Sequence, residues 1–366
     1  MQIGIGTVGS AVVEQALEAR KLWRQSLGLD ISIASVIGRD GALVATDDAL
    51  SDSVLREIID NRRAGVRLSK QEHLADTEMI DPAEALRAVA ARGSMIVLDA
   101  AAGERSAALD AEALRLGGGV VLSNKAPLAL PVGSPCGQAL WEEAGPTGRL
   151  RYEATCGAGL PVLSTLRGLL DTGDEIIEID GTVSGTFGAI FSGVAAGALF
   201  SQAVRVARER GFTEPDPRDD LSGLDVARKA LILARTLGRQ IDLSEIKVET
   251  LVPDELHDVS VPQFLDQISM LDEEIGRRAA QAATAGEALR YVMSVTPDGP
   301  IEVGVRPVDK QTVLGALLGP ENVISFRTRR YDAHPLNVTG PGAGADVTAA
   351  GMLTDMLALA RGPLVG

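Results

Sequence analysis

Six residues near the start of the chain, Gly4 to Gly9, read GIGTVG, and no other stretch restricts the fold as much. The spacing G-x-G-x-x-G gives a tight turn, a backbone able to approach a pyrophosphate, and a helix N-terminus with unpaired N–H groups. A helical SAVVEQALEARKLW follows at once, and a strand-like DISIASVIG (30–38) comes next. In that context Gly4, Gly6 and Gly9, with Thr7 and Val8 between them, are candidate dinucleotide contacts. The plainer alternative is an ordinary strand–helix turn. Further on, SMIVLDAAAG and GGVVLSNKAPLAL are apolar runs that flank a helical SAALDAEALRLGG. This βαβ alternation predicts an α/β fold, with a Rossmann-type doubly wound parallel sheet over residues 1–150. Only Met1, Gln2 and Ile3 precede the turn, so the first strand is about half the usual length. Either the sheet tolerates a stub or the strand begins upstream.

The residue closing the second strand normally chooses between the two nicotinamide dinucleotides. Here GRD offers both Arg39, suited to a ribose 2′-phosphate, and Asp40, suited to a free ribose diol. The reading leans to NADP over NAD, with surface loop charges as the alternative.

Composition removes several function classes. The 366 residues carry 35 Lys and Arg against 50 Asp and Glu, a formal charge of −15. That balance, without a basic patch, argues against nucleic acid and against an anionic membrane surface. Cys136 and Cys156 are the only cysteines and form neither a disulfide framework nor a zinc pattern. No signal-peptide pattern opens the chain, so a reducing cytoplasm is the expected compartment. Gly181 to Val204 carries no charge for 24 residues, a length that suits a membrane span. Ten of those residues are Gly, Ser or Thr, so a buried strand followed by a helix is expected instead.

Beyond residue 150 the rhythm changes. LRYEATCGAGLPVLSTLRGLL reads as strand, glycine turn and helix, and EIIEIDGTVSGTFGAIFSGV as strand then helix. LRYVMSVTPDGPIEVGVRPV reads as two strands across a turn. An α+β domain with a mixed or antiparallel sheet is expected over 151–325. Residues 326–366 then return to the first domain through a glycine-rich loop, where Gly344 lets backbone approach a ligand.

The most charged stretch, GFTEPDPRDDLSGLDVARK (211–229), runs into the apolar ALILARTLG. Ser222 and Asp225 fit a capping box, and Gly238 fits the C′ position. Asp225 and Lys229 are four apart and share a helix face. A helix apolar on nearly every other side is buried, which carries this pair inward. A buried ammonium needs acids, and Glu214, Asp219 and Asp220 stand nearby in sequence. A surface ion pair is the bland alternative.

GFTEPDPRDDLSGLDVARK, SNKAP, YEATCGAGLP, GTVSGTFGAIFS and GAGADVTAAG together resemble the homoserine dehydrogenase family, over nearly the whole chain and in that family's order. The length resembles its short, single-function form, without kinase or regulatory domain. The resemblance implies interconversion of L-homoserine and L-aspartate 4-semialdehyde with NAD or NADP. It implies Lys229 as the proton-transferring base, with Lys125 and Asp220 as further catalytic groups. Glu214, Asp225, Gly185 and Thr186 would hold the amino acid. Gly4, Gly6, Thr7, Val8, Gly9, Arg39, Ala101, Lys125 and Gly344 would hold the dinucleotide. A monovalent cation, typically sodium, would sit on the Glu153 carboxylate and the carbonyls of Cys156, Ala158 and Leu160. Dimerisation through the second domain's sheet is also implied. One departure is Ala100, Ala101 and Ala102 after Asp99, where the family usually has a hydroxyl against the cofactor.

Two other readings compete. A thioester-forming semialdehyde dehydrogenase would need an activated Cys156 beside one of His73, His257 or His334. A non-catalytic nucleotide sensor would leave Glu214, Asp220, Asp225 and Lys229 idle.

Overall fold

The computed structural model describes residues 1–71, 74–145 and 148–362, so His73 lies outside the described residues. Two compact units emerge, Met1–Gly159 with Ala343–Gly366, and Leu160–Gly342. The boundaries expected at 150 and 325 therefore move to 159 and 342. Strand pairing explains the second shift, because Asn322–Thr328 and Leu336–Gly340 pair within the second unit's sheet and only the helix Ala345–Arg361 joins the first.

In chain order the first unit holds β1 (Gln2–Ile3), α1 (Thr7–Leu22), β2 (Ser35–Gly38), β3 (Gly41–Ala45), α2 (Asp52–Arg63), β4 (Thr77–Ile80) and α3 (Pro82–Ala90). It continues with β5 (Ile96–Asp99), α4 (Ala107–Arg115), β6 (Gly119–Leu122), α5 (Pro135–Glu142) and β7 (Leu150–Arg151). The sheet order is β4-β3-β2-β1-β5-β6-β7. From β2 across to β7 all pairs are parallel. Leu98 and Val121, paired across β5 and β6, pack with the helix Ala345–Arg361 and α1. Val97 and Val120 point to the opposite face and are also buried, as a sheet covered on both sides requires.

The expected doubly wound pattern fails on one side. β2 turns back at once through Arg39 and Asp40 into an antiparallel β3, and β4 is antiparallel to β3. The two-residue turn between Gly38 and Gly41 is a hairpin connection, with Gly41 at φ 146°. Nor does all of DISIASVIG pair. Ile33 instead accepts the N–H of the loop residue Leu50, and Ala34 that of Ala45 at the end of β3.

β1 is a two-residue strand, yet it sits at the sheet centre with a parallel neighbour on each side. Bonds from Leu98 N–H to Met1, Ala100 N–H to Ile3, and Gly4 N–H to Ile37 extend its ladder beyond the strand proper.

The second unit holds α6 (Val162–Asp171), β8 (Ile176–Thr182), α7 (Gly185–Ala195), α8 (Phe200–Glu209), α9 (Pro217–Leu221), α10 (Leu224–Thr236) and β9 (Lys247–Val248). Then come α11 (Val261–Gln267), α12 (Asp272–Thr284), β10 (Glu287–Val295), β11 (Glu302–Asp309), α13 (Val313–Ala316), β12 (Asn322–Thr328) and β13 (Leu336–Gly340). The sheet order is β13-β12-β8-β10-β11-β9. Every pair is antiparallel except β9 on β11, so the mixed sheet expected of an α+β domain is present. Helices α7, α10 and α12 pack on β10. The uncharged 181–204 stretch ends β8, forms α7 and begins α8. No helix among the described residues is long and apolar enough to cross a membrane.

Gly9 sets how closely α1 approaches the turn before it. A Cβ there would stand 2.0 Å from the Gly4 carbonyl oxygen, whereas one at Gly6 would meet nothing within 4 Å. Gly9→Ala is expected to cost roughly 1–3 kcal/mol through overpacking, and Gly6→Ala less than about 1 kcal/mol. Urea unfolding of the two variants checks the order.

Candidate active site and dinucleotide turn

In the first unit the sheet changes winding direction at β1 and β5, and the crevice outside the strand ends there is where open α/β sheets take ligands. Gly4 is at φ 77°, and a Cβ on it would lie 2.8 Å from the Ala101 nitrogen. Glycine is required there both by conformation and by the approach of the Ala100–Ala101 backbone. Gly6 is the N-cap of α1 and has open space beside it. The N–H groups of Thr7 and Val8 follow in the first turn, which has no acidic residue to oppose an anion. The three glycines thus do three jobs: turn, opening, and close packing.

The run Asp99–Ala102 is held from below by a network that sequence reasoning missed. Asp99 accepts from the Ala101 N–H at 2.8 Å and from the Ser106 hydroxyl at 2.7 Å. Asn124 donates to Asp99, to the Gly103 carbonyl and to Ser106. The Asn124 side-chain oxygen takes the Ala126 N–H at 3.1 Å, which pins the turn carrying Lys125. Lys125 is half-buried. Only the SNKAP string hinted at this, and it drew attention to the lysine rather than to the asparagine beside it.

Asp110, on α4, is fully buried against the Asp99 carboxylate, and among the described residues no N–H or hydroxyl donates to either of its oxygens. Burial, then the charge of Asp99, pushes its carboxyl well above the usual range. Burial also raises Asp99, while the Ser106, Ala101 and Asn124 donors oppose that shift.

At the β2–β3 turn Asp40 is already engaged. Its carboxylate takes the Ser69 N–H and hydroxyl, and the hydroxyl bond is the main cause holding its pKa low. Arg39 beside it is exposed. Gly344, at φ 123°, is the N-cap of the helix Ala345–Arg361.

Glu153, Cys156 and Ala158 lie on the loop after β7. Glu153 is buried, and its N–H donates to Asp355 at 2.7 Å. Gly157 and Ala158 are consecutive left-handed residues, at φ 87° and 56°. A non-glycine residue held there stores backbone strain, which redirects successive carbonyls. Among the described residues no group of three or more His, Cys, Asp and Glu could hold a metal, so any cation here relies on carbonyls. One carboxylate with several carbonyls is a hard oxygen set and fits such an ion. Leu160 begins the second unit.

The second unit gathers the charged stretch around Lys229. Its side chain is 9% exposed, with Nζ 2.8 Å from an Asp225 carboxylate oxygen and 2.6 Å from the Val183 carbonyl. Asp225 is not carried inward to the same depth, because its side chain is 46% exposed. It stands at the first turn of α10, nearer the helix end and solvent. The expected capping box is absent. Gly223, at φ 74°, is the N-cap, and Ser222 instead accepts from the Leu224 N–H and donates to the Asp219 carbonyl. Gly238 follows the Leu237 C-cap at φ 93°, the expected C′ position.

Asp220, in α9, is half-buried. Thr186 Oγ1 lies 2.8 Å from one of its oxygens and 2.5 Å from the Phe212 carbonyl, and the Glu214 N–H donates to its other oxygen. Burial raises the Asp220 pKa, with Asp225 and Asp219 adding to the rise. Glu214 joins through its backbone, and its side chain is exposed. Gly185 and Thr186 open α7, where Ser184 caps the Phe187 N–H. Their own N–H groups have no intrahelical acceptor and face the start of the helix.

The homoserine dehydrogenase family model matches residues 161–357. The chain belongs to the homoserine dehydrogenase family. A homoserine dehydrogenase of Emericella nidulans is 40% identical over 261 residues, 67% of this chain and 69% of that protein. The bifunctional aspartokinase/homoserine dehydrogenase 2 of Arabidopsis thaliana is 35% identical over 98% of this chain, which spans 38% of that longer protein. Among solved structures, a hyperthermophilic archaeal homoserine dehydrogenase in complex with NADPH aligns with a TM-score of 0.72 at 24% identity. It covers 100% of this chain and 98% of its own. That likeness shows the shared fold. Against the thioester reading, Cys156 is buried.

The Asp110 carboxyl makes stability depend on pH. Its folded pKa lies above the unfolded value near ~4, so its contribution favours folding below that value and is lost as pH rises. Asp110→Asn is therefore expected to match or exceed the parent in thermal stability at pH 7, and to lose that advantage near pH 4. Thermal scans at the two pH values measure the difference.

Proposed function

We propose that the chain oxidises L-homoserine to L-aspartate 4-semialdehyde, and runs the reverse reaction, with NADP or NAD as hydride carrier. The observation that supports this most strongly is the amine of Lys229, almost fully out of water and held between the Val183 carbonyl and Asp225.

Oxidation of an alcohol removes a hydride from the carbinol carbon and a proton from the hydroxyl. The nicotinamide, when bound, accepts the hydride. Lys229 takes the hydroxyl proton and returns it in the reverse reaction. Asp225 bridges that amine and solvent, so protons have a route out of the site. Asp220 orients the reacting group, itself held by Thr186 and the Glu214 N–H. The N–H groups of Gly185 and Thr186 suit the substrate carboxylate. Asp225 and Glu214 supply negative charge for its ammonium. Lys125, on its pinned turn, serves the substrate oxygen and the nicotinamide.

For the cofactor, Gly4, Gly6, Thr7, Val8 and Gly9 take the pyrophosphate, and Ala101, Lys125 and Gly344 serve the nicotinamide end. Arg39 is the residue for a 2′-phosphate, since Ser69 already occupies Asp40. This favours NADP. A monovalent cation, sodium by preference, sits on Glu153 and the carbonyls of Cys156, Ala158 and Leu160, and orders the loop between the units' sequences. A homodimer formed through the second unit's sheet, acting in the cytoplasm, completes the reading. A sensor without catalysis is the less favoured alternative, because it gives no role to a buried lysine.

Homoserine, NADP or NAD, and protein are expected to yield reduced nicotinamide, read by its absorbance. Lys229→Ala should lower turnover by about 10²–10⁴ with homoserine still bound, and near-parental turnover refutes the assigned role. Arg39→Ala should raise the KM for NADP roughly tenfold, the effect of about 1.4 kcal/mol, while leaving that for NAD nearly unchanged. Equal changes for both cofactors remove the basis for the NADP preference.

A further inference from the structure

Among the residues assigned to proton transfer and substrate binding, Gly185 and Thr186 open α7, Asp220 lies on α9, and Asp225 and Lys229 lie on α10. One side chain touches α7 and the N-cap of α10 and is tied to α9 through a neighbouring strap. Tyr291, on β10, is 3% exposed. Its ring stacks on Phe187 with centroids 3.7 Å apart and planes 10° from parallel. Phe187 lies one residue beyond Thr186, in the first turn of α7. The Tyr291 hydroxyl donates to the Glu249 carbonyl at 2.7 Å. The strap that begins at Glu249 continues to Leu251, whose N–H donates to Leu221, the last residue of α9. Glu249 is fixed in turn by Arg278 at 2.5 Å and by the Val305 N–H at 2.8 Å.

The third contact is with α10. Gly223 is the left-handed N-cap of the helix that bears Asp225 and Lys229, and a Cβ on it would fall 2.0 Å from the Tyr291 hydroxyl oxygen. The hydroxyl is therefore wedged against the Gly223 Cα, at the point where the chain leaves α9 and enters α10.

We infer that Tyr291 is a positioning residue for the Lys229 site, its ring seating the first turn of α7 and its hydroxyl fixing the Leu221–Gly223 turn that aims Asp225 and Lys229. Burial and the nearby Glu249 raise its phenol pKa, so the hydroxyl stays a donor at working pH. Nothing in the family resemblance singled it out, because a tyrosine in LRYVMSV reads from sequence as an apolar strand residue. The inference rests on the proposed dehydrogenase reading for its kinetic consequence and on geometry alone for its effect on Lys229.

Two readouts separate these. In the first, Lys229 acylation by acetic anhydride is followed by mass spectrometry, without substrate or cofactor. Tyr291→Phe keeps the ring stack and is expected to speed labelling of Lys229 several-fold, with Lys247 and Lys310 unchanged. In the second, Tyr291→Phe should lower kcat for homoserine oxidation about 5–10-fold, roughly 1–1.4 kcal/mol, with KM changed less than twofold. Gly223→Ala should lower kcat/KM by about 100-fold, equivalent to roughly 2.7 kcal/mol. Combined with Tyr291→Phe, which removes the obstructing oxygen, it should recover about tenfold relative to Gly223→Ala alone. Independent, multiplicative losses from the two substitutions overturn the inference, as does unchanged Lys229 labelling in Tyr291→Phe. Faster Lys229 labelling in Tyr291→Phe, with a parent protein that never oxidises homoserine, upholds the positioning role and sinks the dehydrogenase reading instead.

Discussion

An amine taken out of water organises the second unit. Lys229 is buried on a helix whose neighbouring positions Val226, Ala230, Ile232 and Leu233 are also buried, and its Nζ meets the Val183 carbonyl and Asp225. Removing such a group from solvent costs several kcal/mol unless it is met by acceptors in good geometry. The acceptors come from separate places: the residue just after β8 and the first turn of α10. The register of strand against helix is thus tied to the needs of one side chain. A surface ion pair would impose no such condition, and its loss would cost under about 1 kcal/mol.

The first unit depends on a different economy of space. Gly4 and Gly9 are glycines because backbone stands where a side chain would go, while Gly6 leaves space open. Beneath that turn, Asp99, Ser106 and Asn124 stabilise the neighbouring strand ends with fully buried hydrogen bonds. The alanine run after Asp99, which lacks the family's usual hydroxyl, is therefore not loose. Its backbone is tied to Asp99 through the Ala101 N–H. Rigidity there comes from side chains below the turn rather than from the residues lining it.

The cluster in the second unit differs from a simple gathering of acids. Asp220 is held by donors and raised by burial, Asp225 is half-exposed, and Glu214 contributes its backbone. Three carboxylates that look equivalent in GFTEPDPRDDLSGLDVARK thus have three environments. Such separation lets neighbouring acids take different parts in one reaction. Tyr291 links the elements that impose it.

Much of this was legible from residue order. The G-x-G-x-x-G turn, the βαβ rhythm, the antiparallel pair around TPDG and the shared face of Asp225 and Lys229 all follow from local periodicity and glycine placement, which short-range sterics enforce. What failed locally also failed for a reason. Ser222 has the side chain of a cap, but the chain turns left-handed at Gly223, against which the Tyr291 hydroxyl packs from a distant strand. The GRDG hairpin and the strands kept in the second unit depend on which edges pair, a matter of non-local hydrogen bonding. Sequence by itself determined which residues carry charge and which helix face they share. Tertiary structure alone decided how deeply each is buried, since burial depends on partners that the chain brings together only on folding.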